Sequence, residues 1–343
     1  MTAALQSTDS SPPPITPRRS SLGWTSLVLS AVLMVASLAL VDSRKVLRQL
    51  ATVDLRWLGL AFVLGLVQLA LLGWRWSRIA TALGLPLCWR KATSEYALSL
   101  LGNQVLPTGV AGDGLRGLRH SKDSNGAGLS KVFEALALDR LSGQLGLWLI
   151  IVAIAPLTIS AGLVDGVSVV EATLACIAVL VGLWLVSTRL PWITARTQRA
   201  QGLLRRSVRF LLAPKSAATH LPPSFALVGC LLLQLWIAAR AIGVELPLLQ
   251  LLWLGPLIMV ASSIPSFFGG WGIREGASAL LFAGAGMGES TGVAVSVVYG
   301  TFALVISLPG VFVLLLDVDR AEASGEDVSS PGVASSGSLK DAE

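Results

Sequence analysis

Charged residues are scarce in this chain of 343 residues, at 13% of the sequence against about 25% in a typical soluble domain. Hydrophobic residues make up 53%, and the mean hydropathy is +0.72. The deficit of charge is concentrated in uncharged runs long enough to cross a bilayer, which takes about 20 apolar residues. The composition therefore excludes a soluble globular protein and predicts an all-α polytopic membrane protein.

Cysteine and histidine are rare as well. Cys88, Cys176 and Cys230 form no CxxC pair, and His120 and His220 lie far apart in the sequence. This spacing supports neither a disulfide framework nor a zinc site. The P-loop pattern GxxxxGK[ST], which binds nucleotide phosphates, is missing too. We therefore expect no metal, no cofactor and no direct use of ATP.

The net charge of +6 hides an uneven distribution. Residues 317–343 hold seven acidic residues against two basic ones, so the rest of the chain carries 24 basic and 13 acidic residues, or +11. On a membrane protein such an excess is typical of binding to anionic lipid headgroups. Membrane lipids, and not nucleic acid, are the partners that this charge predicts.

The local composition divides the chain into three regions. Residues 1–21 are rich in Ser, Thr and Pro, and residues 317–343 are acidic and rich in Gly and Ser, so both are expected to be disordered tails. Residues 22–316 form the predicted membrane domain, and no soluble catalytic domain is expected at either end. The predicted spans are 22–41, 57–74, 141–161, 170–188, 224–243, 246–264 and 291–316. Segments 93–112 and 262–288 are apolar but interrupted, so about seven to eight transmembrane helices with two broken or re-entrant segments are expected.

The predicted loop 189–222 sets the orientation. It contains seven basic residues and no acidic one, which predicts a cytoplasmic location and places both termini in the cytoplasm of a multi-pass plasma-membrane protein. Residues 196–212 can form an amphipathic helix at the interface. Its arginines either meet lipid phosphates or only fix the topology, and these are Arg199, Arg205, Arg206 and Arg209. Trp74 and Trp76 flank Arg75 as in an interfacial aromatic belt.

One Pro/Gly-rich phrase occurs twice. Residues 107–116 read PTGVAGDGLR and residues 265–274 read PSFFGGWGIR, 158 positions later. Proline removes a backbone donor and glycine weakens a helix, so a helix break is expected in each phrase. The freed backbone groups must be buried in protein or line a wet cavity, because lipid offers them no partner. The repetition predicts a polar pocket and a possible internal repeat.

Each phrase carries charges beside its break. Asp113 and Arg116 lie in the first, and Arg274 precedes Glu275 at the end of the second. Four unpaired charges at the bilayer centre would cost roughly 10–14 kcal/mol, so they either pair across a cavity or lie at an interface. A helix N-terminus beside an arginine suits a phosphate, and a carboxylate suits an ammonium or hydroxyl group. An interfacial turn that binds nothing remains the alternative.

Further residues complete a pattern of order and spacing. Asn103-x-x-x-Pro107 precedes Gly112-Asp113-x-x-Arg116, the pair Asp139-Arg140 follows, and Pro265 leads to Gly269-Gly270-x-Gly272-x-x-Glu275. Asp139-Arg140 heads the span at 141 either as a surface pair or as a cavity gate. Together these motifs resemble the lysylphosphatidylglycerol synthase transmembrane region, also called the flippase-like domain family, over residues 22–316.

The resemblance implies a multi-helix domain that moves an aminoacylated phospholipid between leaflets, with aminoacyl transfer in a separate soluble domain. This chain is expected to lack that second domain, so a polyprenyl-linked lipid is another candidate substrate. The implied headgroup-contacting residues are Asn103, Pro107, Asp113, Arg116, Asp139, Arg140, Pro265, Gly270, Arg274 and Glu275.

The leading hypothesis is a flippase-like lipid transporter that is not an enzyme. Arg116 and Arg274 would bind the phosphate, and Asp113 and Glu275 the cationic or hydroxyl-bearing part of the headgroup. A membrane-embedded transferase acting on lipid-linked substrates is the first alternative, with Asp113, Asp139 and Glu275 as general bases or cation ligands. A non-catalytic partner of an envelope-synthesis enzyme is the second, and a homo-oligomer is open in every case.

Overall fold

The computed structural model describes residues 43–106, 111–123, 129–162, 210–211, 213–263 and 271–323. Over these ranges the chain forms helices and no strand, which confirms the all-α prediction for this part of the protein. The helices are α1 Ser43–Leu50, α2 Leu55–Ala82, α3 Trp89–Val105, α4 Ala111–Asp123, α5 Leu129–Ser160, α6 Pro214–Ala241, α7 Leu248–Ser262, α8 Ile273–Gly284, α9 Glu289–Ser307 and α10 Pro309–Ala323.

Four stretches within the described ranges are long and apolar enough to cross a membrane. They are Leu55–Ala82, Lys131–Ser160, Ser216–Ala241 and Glu289–Leu316. Two of them contain the predicted spans 57–74 and 291–316, and the other two overlap the predicted spans 141–161 and 224–243 to within two residues of their ends. The predicted spans 22–41 and 170–188, the tail 1–21 and the amphipathic segment with its arginines 199, 205, 206 and 209 lie outside the described residues. The total of seven to eight crossings stays a prediction.

Several boundaries differ from the sequence-based ones. Helix α5 begins at Leu129, twelve residues before the predicted span, and within this extension Asp139 is buried and paired with Arg75 and Arg116. Helix α6 begins at Pro214, which shortens the predicted loop 189–222, and α10 continues to Ala323, past the boundary set at 316. The segment predicted to span at 246–264 is α7, whose 15 residues reach only about 22 Å.

Helices α3 and α4 pack against each other as a hairpin around residues 107–110. Their backbones touch, since a Cβ on Gly112 would overlap the Ser99 carbonyl oxygen and a Cβ on Gly102 would meet the Gly112 backbone. The side chain of Asn103 accepts a hydrogen bond from Gly112 N at 2.9 Å and so ties the two helices across the break. With 17 and 13 residues, the helices measure about 26 and 20 Å, less than a hydrocarbon core of ~30 Å.

The architecture of the first half recurs 159 positions later. Helices α2 and α6 have 28 residues each, and each ends in a turn with a glycine of positive φ, Gly84 at 73° and Gly243 at 72°. The turn is closed by Leu85 N to Ala80 O in one half and by the corresponding bond in the other, both at 2.9 Å. A shorter helix follows in each half, then the phrase and a second short helix, which are α3 and α4 in one and α7 and α8 in the other.

Helices α2 and α6 run antiparallel against each other. The N–H of Asp54, which precedes α2, donates to Ala241 O at the end of α6 at 2.9 Å. Near the other ends Arg75 Nη1 donates to Ser224 Oγ at 3.4 Å. The main hydrophobic core lies between the same helices together with α7, α8 and α9, with Leu235, Ile258 and Phe282 fully enclosed.

Candidate functional site

A network of buried charges lies where α2, α3, α4 and α5 meet. The carboxylate of Asp139, which has no exposed surface, accepts from Arg75 Nε at 2.9 Å and from Arg116 Nη2 at 3.2 Å. The Tyr96 hydroxyl donates to the same carboxylate. An unpaired carboxylate in such a place would carry a large desolvation cost, which these three donors offset. The network therefore joins four helices through a single aspartate.

Arg116 lies between two aromatic rings. Its guanidinium carbon is 3.9 Å from the centre of the Tyr96 ring and 4.6 Å from that of Trp76, distances at which a cation is attracted to the ring face. The guanidinium keeps its charge, because arginine is not deprotonated in proteins.

The network opens outward at Asp113 and Arg140. Asp113 accepts from Ser99 Oγ at 2.6 Å and from Arg140 Nε at 2.7 Å, and Arg116 Nη2 lies 3.4 Å away. The Asp113 side chain is 14% exposed and that of Arg140 46%, whereas Arg116 is fully enclosed. Only this edge of the network can meet a ligand without a rearrangement.

A second group of charges is built around Arg274 and Glu275 at the start of α8. The two side chains are joined at 2.6 Å, and Ser296 Oγ on α9 donates to Glu275 at 3.1 Å. Arg274 lies 4.9 Å from the Trp271 ring and 5.6 Å from the Tyr299 ring. Arg116 and Arg274 thus share a surrounding of one Trp, one Tyr and a carboxylate. The rings come from different positions in the two halves, since Trp76 and Tyr96 lie on α2 and α3 whereas Trp271 lies in the second phrase and Tyr299 on α9.

Glu275 also holds the backbone at the start of α8. Its Oε2 accepts from Gly272 N at 2.5 Å, and Gly272 adopts a φ of 90°, which a side chain would disfavour. The backbone of Gly300 on α9 approaches the arginine so closely that a Cβ there would overlap Arg274 and the Trp271 ring. The glycines of this region therefore serve the close packing around Arg274.

One hydrogen bond brings the first group beside the second break. Gln144, one turn after Arg140 on α5, donates to Ser263 Oγ at 2.8 Å. Ser263 is the last described residue before the second phrase, and side chains four apart on a helix share a face. Arg140, which pairs with Asp113, and Gln144, which contacts Ser263, therefore lie on neighbouring turns of one face of α5.

The predicted site residues fall into three sets. Asn103, Asp113, Arg116, Asp139 and Arg140 come together in the first group. Arg274 and Glu275 form the second, and among the described residues no hydrogen bond or ion pair joins their side chains to the first group. Pro107, Pro265 and Gly270 lie outside the described residues.

Two sequence-based interpretations need correction. Asp139 is not a surface residue, because α5 begins ten residues earlier and carries Asp139 into the interior. Arg75 and Trp76 do not form an interfacial belt, since they are 5% and 0% exposed and belong to the first group. The sequence also gave no reason to single out Tyr96, Ser99 or Ser296. The signal that could have identified Arg75 is its place directly after the uncharged run 57–74, within reach of the same helix.

The described residues contain no cluster of three or more His, Cys, Asp or Glu side chains that could hold a metal ion. Both groups instead combine arginine, carboxylate and hydroxyl side chains. Such a set pairs with phosphate through arginine and with hydroxyl or ammonium groups through the carboxylate. It can bind a polar headgroup at the edge where Arg140 is exposed.

Comparison with curated proteins and with solved structures found no match. A family profile described as "Lysylphosphatidylglycerol synthase TM region" matches residues 23–310. The match covers both phrases and every described helix from α1 to α9. The chain therefore belongs to the lysylphosphatidylglycerol synthase transmembrane region family, as the order of its motifs predicted.

Proposed function

We propose that the protein is a flippase-like lipid transporter of the plasma membrane, which binds a lipid headgroup at the Asp113–Arg140 edge and moves it between leaflets. The observation that carries this proposal is the Gln144–Ser263 hydrogen bond, which sets that edge beside the second helix break. Placing the half-exposed Arg140 side chain among membrane-spanning helices costs free energy, and such residues usually have a function. The residues around Arg140 favour the binding of an anionic headgroup as that function.

The arrangement of the halves supports transport. Because α2 and α6 occupy equivalent places and run antiparallel, we infer that the two halves form an inverted repeat. The helix pairs α3–α4 and α7–α8 would then enter from opposite faces of the membrane. Transporters with inverted repeats place their substrate sites where such interrupted helices meet. Rocking one half against the other would expose the site to each leaflet in turn.

The chemistry of the edge indicates the class of lipid. Arg140 presents donors suited to a phosphate, and Asp113 and Ser99 suit a hydroxyl or ammonium group on the same headgroup. The next residue on α5, Leu141, is 37% exposed, and apolar side chains continue along the helix toward the lipid. We propose an anionic or aminoacylated phospholipid, or a polyprenyl-linked lipid, whose tails stay in the bilayer.

In this proposal the buried arginines Arg116 and Arg274 stabilise the helices and do not bind the headgroup first. Arg116 and Arg274 are 1% and 3% exposed, and each is occupied by a carboxylate and two rings. In this conformation they hold the helices beside each break, and a headgroup phosphate meets Arg140 first. Direct contact of Arg116 or Arg274 with the phosphate would need the hairpins to separate during transport.

Leaflet exchange in proteoliposomes tests the proposal. Headgroup-labelled lysylphosphatidylglycerol, phosphatidylglycerol and a polyprenyl phosphosugar would be compared for wild type, Arg140→Gln and Arg240→Gln. Arg240 is the matched control, since its side chain is 37% exposed and forms an ion pair of 3.2 Å with Glu245. This pair belongs to neither group of charges. We expect one lipid to exchange, at least tenfold more slowly with Arg140→Gln and unchanged with Arg240→Gln. Lipid exchange at the wild-type rate with Arg140→Gln would contradict the proposed headgroup site.

Absence of exchange for every lipid would move the alternatives ahead. Product formation from a lipid-linked substrate that depends on magnesium would indicate the membrane-embedded transferase. Co-purification with an envelope-synthesis enzyme, with Arg140 dispensable, would indicate a non-catalytic partner. Size measurements on the purified protein in the same experiments would separate a monomer from a homo-oligomer.

A further inference from the structure

A buried glutamate and histidine adjoin the first group of charges without belonging to it. Glu95 on α3 and His120 on α4 are both 2% exposed. His120 Nδ1 lies 3.7 Å from Glu95 Oε1, and Glu95 Oε2 accepts a hydrogen bond from Trp76 Nε1 at 3.2 Å. An enclosed carboxylate is costly, and a histidine beside it offers a group that changes charge in the physiological pH range.

Trp76 connects this pair to the arginine network. The edge of its ring faces His120, with the ring centres 5.7 Å apart, and its ring lies 4.6 Å from the Arg116 guanidinium. Its indole N–H is held by Glu95. A change of charge on the Glu95–His120 pair therefore alters the electrostatic potential at Arg116. Only one buried ring separates them, and water screens the interaction weakly there.

The charges of the network do not balance by themselves. Three arginines, Arg75, Arg116 and Arg140, face two aspartates, Asp113 and Asp139, which leaves one positive charge in excess. Ionised Glu95 beside neutral His120 cancels that excess. A proton added to the pair restores it, whether it resides on the imidazole or on the carboxyl group.

Among the side chains that the structure describes on α2, α3, α4 and α5, the remaining ionisable groups lie nearer the surface. Tyr96 is the exception, and it is buried with its hydroxyl bound to Asp139. The exposed or half-exposed groups are Arg56 and Arg78 on α2, Arg90 and Lys91 on α3, Arg119 on α4, and Lys131 and Glu134 on α5. Water screens these charges, so the enclosed pair has the stronger influence on Arg116.

We propose that Glu95 and His120 form a proton-binding site whose occupation is coupled to the binding of an anionic headgroup at Arg140. One proton moves from water to the pair, which changes its net charge from −1 to neutral, and no other reactant is needed. The network then carries a net positive charge that matches the phosphate. By linkage, the bound anion favours the proton as much as the proton favours the anion.

This inference rests on the proposed headgroup site and adds a source of energy for transport. An anionic lipid that crosses together with a proton moves no net charge, and a proton gradient can then drive it. Protonation alone would strengthen binding on the acidic side of the membrane and weaken it on the other. The P-loop that the sequence lacks is not needed for such a cycle.

Proton uptake on lipid binding tests the coupling directly. The purified full-length protein would be titrated with short-chain phosphatidylglycerol by calorimetry in two buffers with different ionisation enthalpies. The difference in apparent heat gives the protons taken up per lipid bound. We expect about one proton at a pH at which the pair is empty before binding. Affinity should rise severalfold as the pH is lowered, because the proton and the anion favour each other's binding.

Glu95→Gln replaces the carboxylate with an uncharged amide of nearly the same size. We expect it to bind phosphatidylglycerol at high pH about as tightly as the protonated wild type does, and to take up fewer protons per lipid, because the negative charge that the proton neutralises is gone. Glu245→Gln is the matched control, since its side chain is 84% exposed and it should keep the wild-type proton uptake. A circular dichroism spectrum and a thermal midpoint like those of wild type show that Glu95→Gln is folded.

The outcomes separate this inference from the function on which it rests. Binding without proton uptake, or proton uptake that Glu95→Gln retains, overturns the proton site even if the lipid is exchanged between leaflets. Proton-coupled binding without leaflet exchange keeps the site and overturns the transporter. Absence of any binding of phosphatidylglycerol, lysylphosphatidylglycerol or a polyprenyl phosphate overturns both.

Discussion

Arg75 on α2 and Asp139 on α5 form an ion pair of 2.9 Å in the interior of the protein, with their side chains 6% and 0% exposed. Both lie within helices long enough to span a bilayer. The pair anchors Arg116 and Tyr96 through the second carboxylate oxygen and reaches Ser224 on α6 through Arg75. It is the point at which the two halves of the chain share one polar network.

Removal of one partner of this pair should be strongly destabilising. Arg75→Met keeps most of the side-chain volume but leaves Asp139 with fewer donors in a place that water does not reach. We expect a loss of about 3–5 kcal/mol, the usual cost of an uncompensated buried charge. Unfolding in mixed micelles of mild and denaturing detergent measures it. Arg240→Met, which breaks an exposed ion pair, should change the unfolding midpoint very little.

The hairpin around the first break should depend on Gly112. A Cβ there would overlap the Ser99 carbonyl oxygen and the Asn103 backbone, neither of which can move without separating α3 from α4. We expect Gly112→Ala to lower both thermal stability and lipid exchange. Gly114→Ala is the control two positions away, since nothing lies within 4 Å of its Cβ position. Equal behaviour of the two variants would mean that the helices are not packed at Gly112.

The sequence predicted the helical class and the four long spans because each follows from local composition. Hydrophobic length marks a span wherever the chain is placed. The start of α5 at Leu129 was missed for the opposite reason. Lys131, Glu134 and Asp139 look like the end of a membrane segment, and only tertiary partners such as Arg75 and Arg116 allow the helix to continue through Asp139.

The sequence singled out the charged residues of the first group but not the contacts between them. Asp113, Arg116, Asp139 and Arg140 carry formal charges in an apolar chain, so each attracted notice by itself. Which charge is buried and which is exposed depends on the packing of four helices, and the sequence contains no local sign of that. Tyr96 was missed because a single tyrosine in a mixed helix has many ordinary explanations.

The packing around Arg274 gives a third prediction. A methyl group on Gly300 would overlap the Arg274 guanidinium and the Trp271 ring, so Gly300→Ala should displace Arg274 from Glu275. We expect slower lipid exchange and a lower thermal midpoint. Gly284→Ala serves for comparison, because its Cβ would meet nothing within 4 Å. Wild-type exchange in Gly300→Ala would show that the second break does not need Arg274 in this position.

The inverted repeat gives the last prediction, which concerns the two glycine turns. Helices α2 and α6 are antiparallel, so the turns that end them, at Gly84 and Gly243, should lie on opposite faces of the membrane. Cys88 is exposed beside the first turn, and Glu245 is exposed beside the second. With Cys176 and Cys230 changed to serine, one variant keeps Cys88 and another carries Cys88→Ser with Glu245→Cys.

A maleimide that cannot cross membranes should label these two variants from opposite sides. The basic residues of the predicted loop 189–222 place the start of α6 in the cytoplasm, so intact cells should label Glu245→Cys and inverted vesicles should label Cys88. Labelling of both from one side would overturn the inverted repeat, because equivalent turns would then share a face. Labelling from opposite sides in the reversed sense would keep the repeat and show that the arginines do not set the orientation.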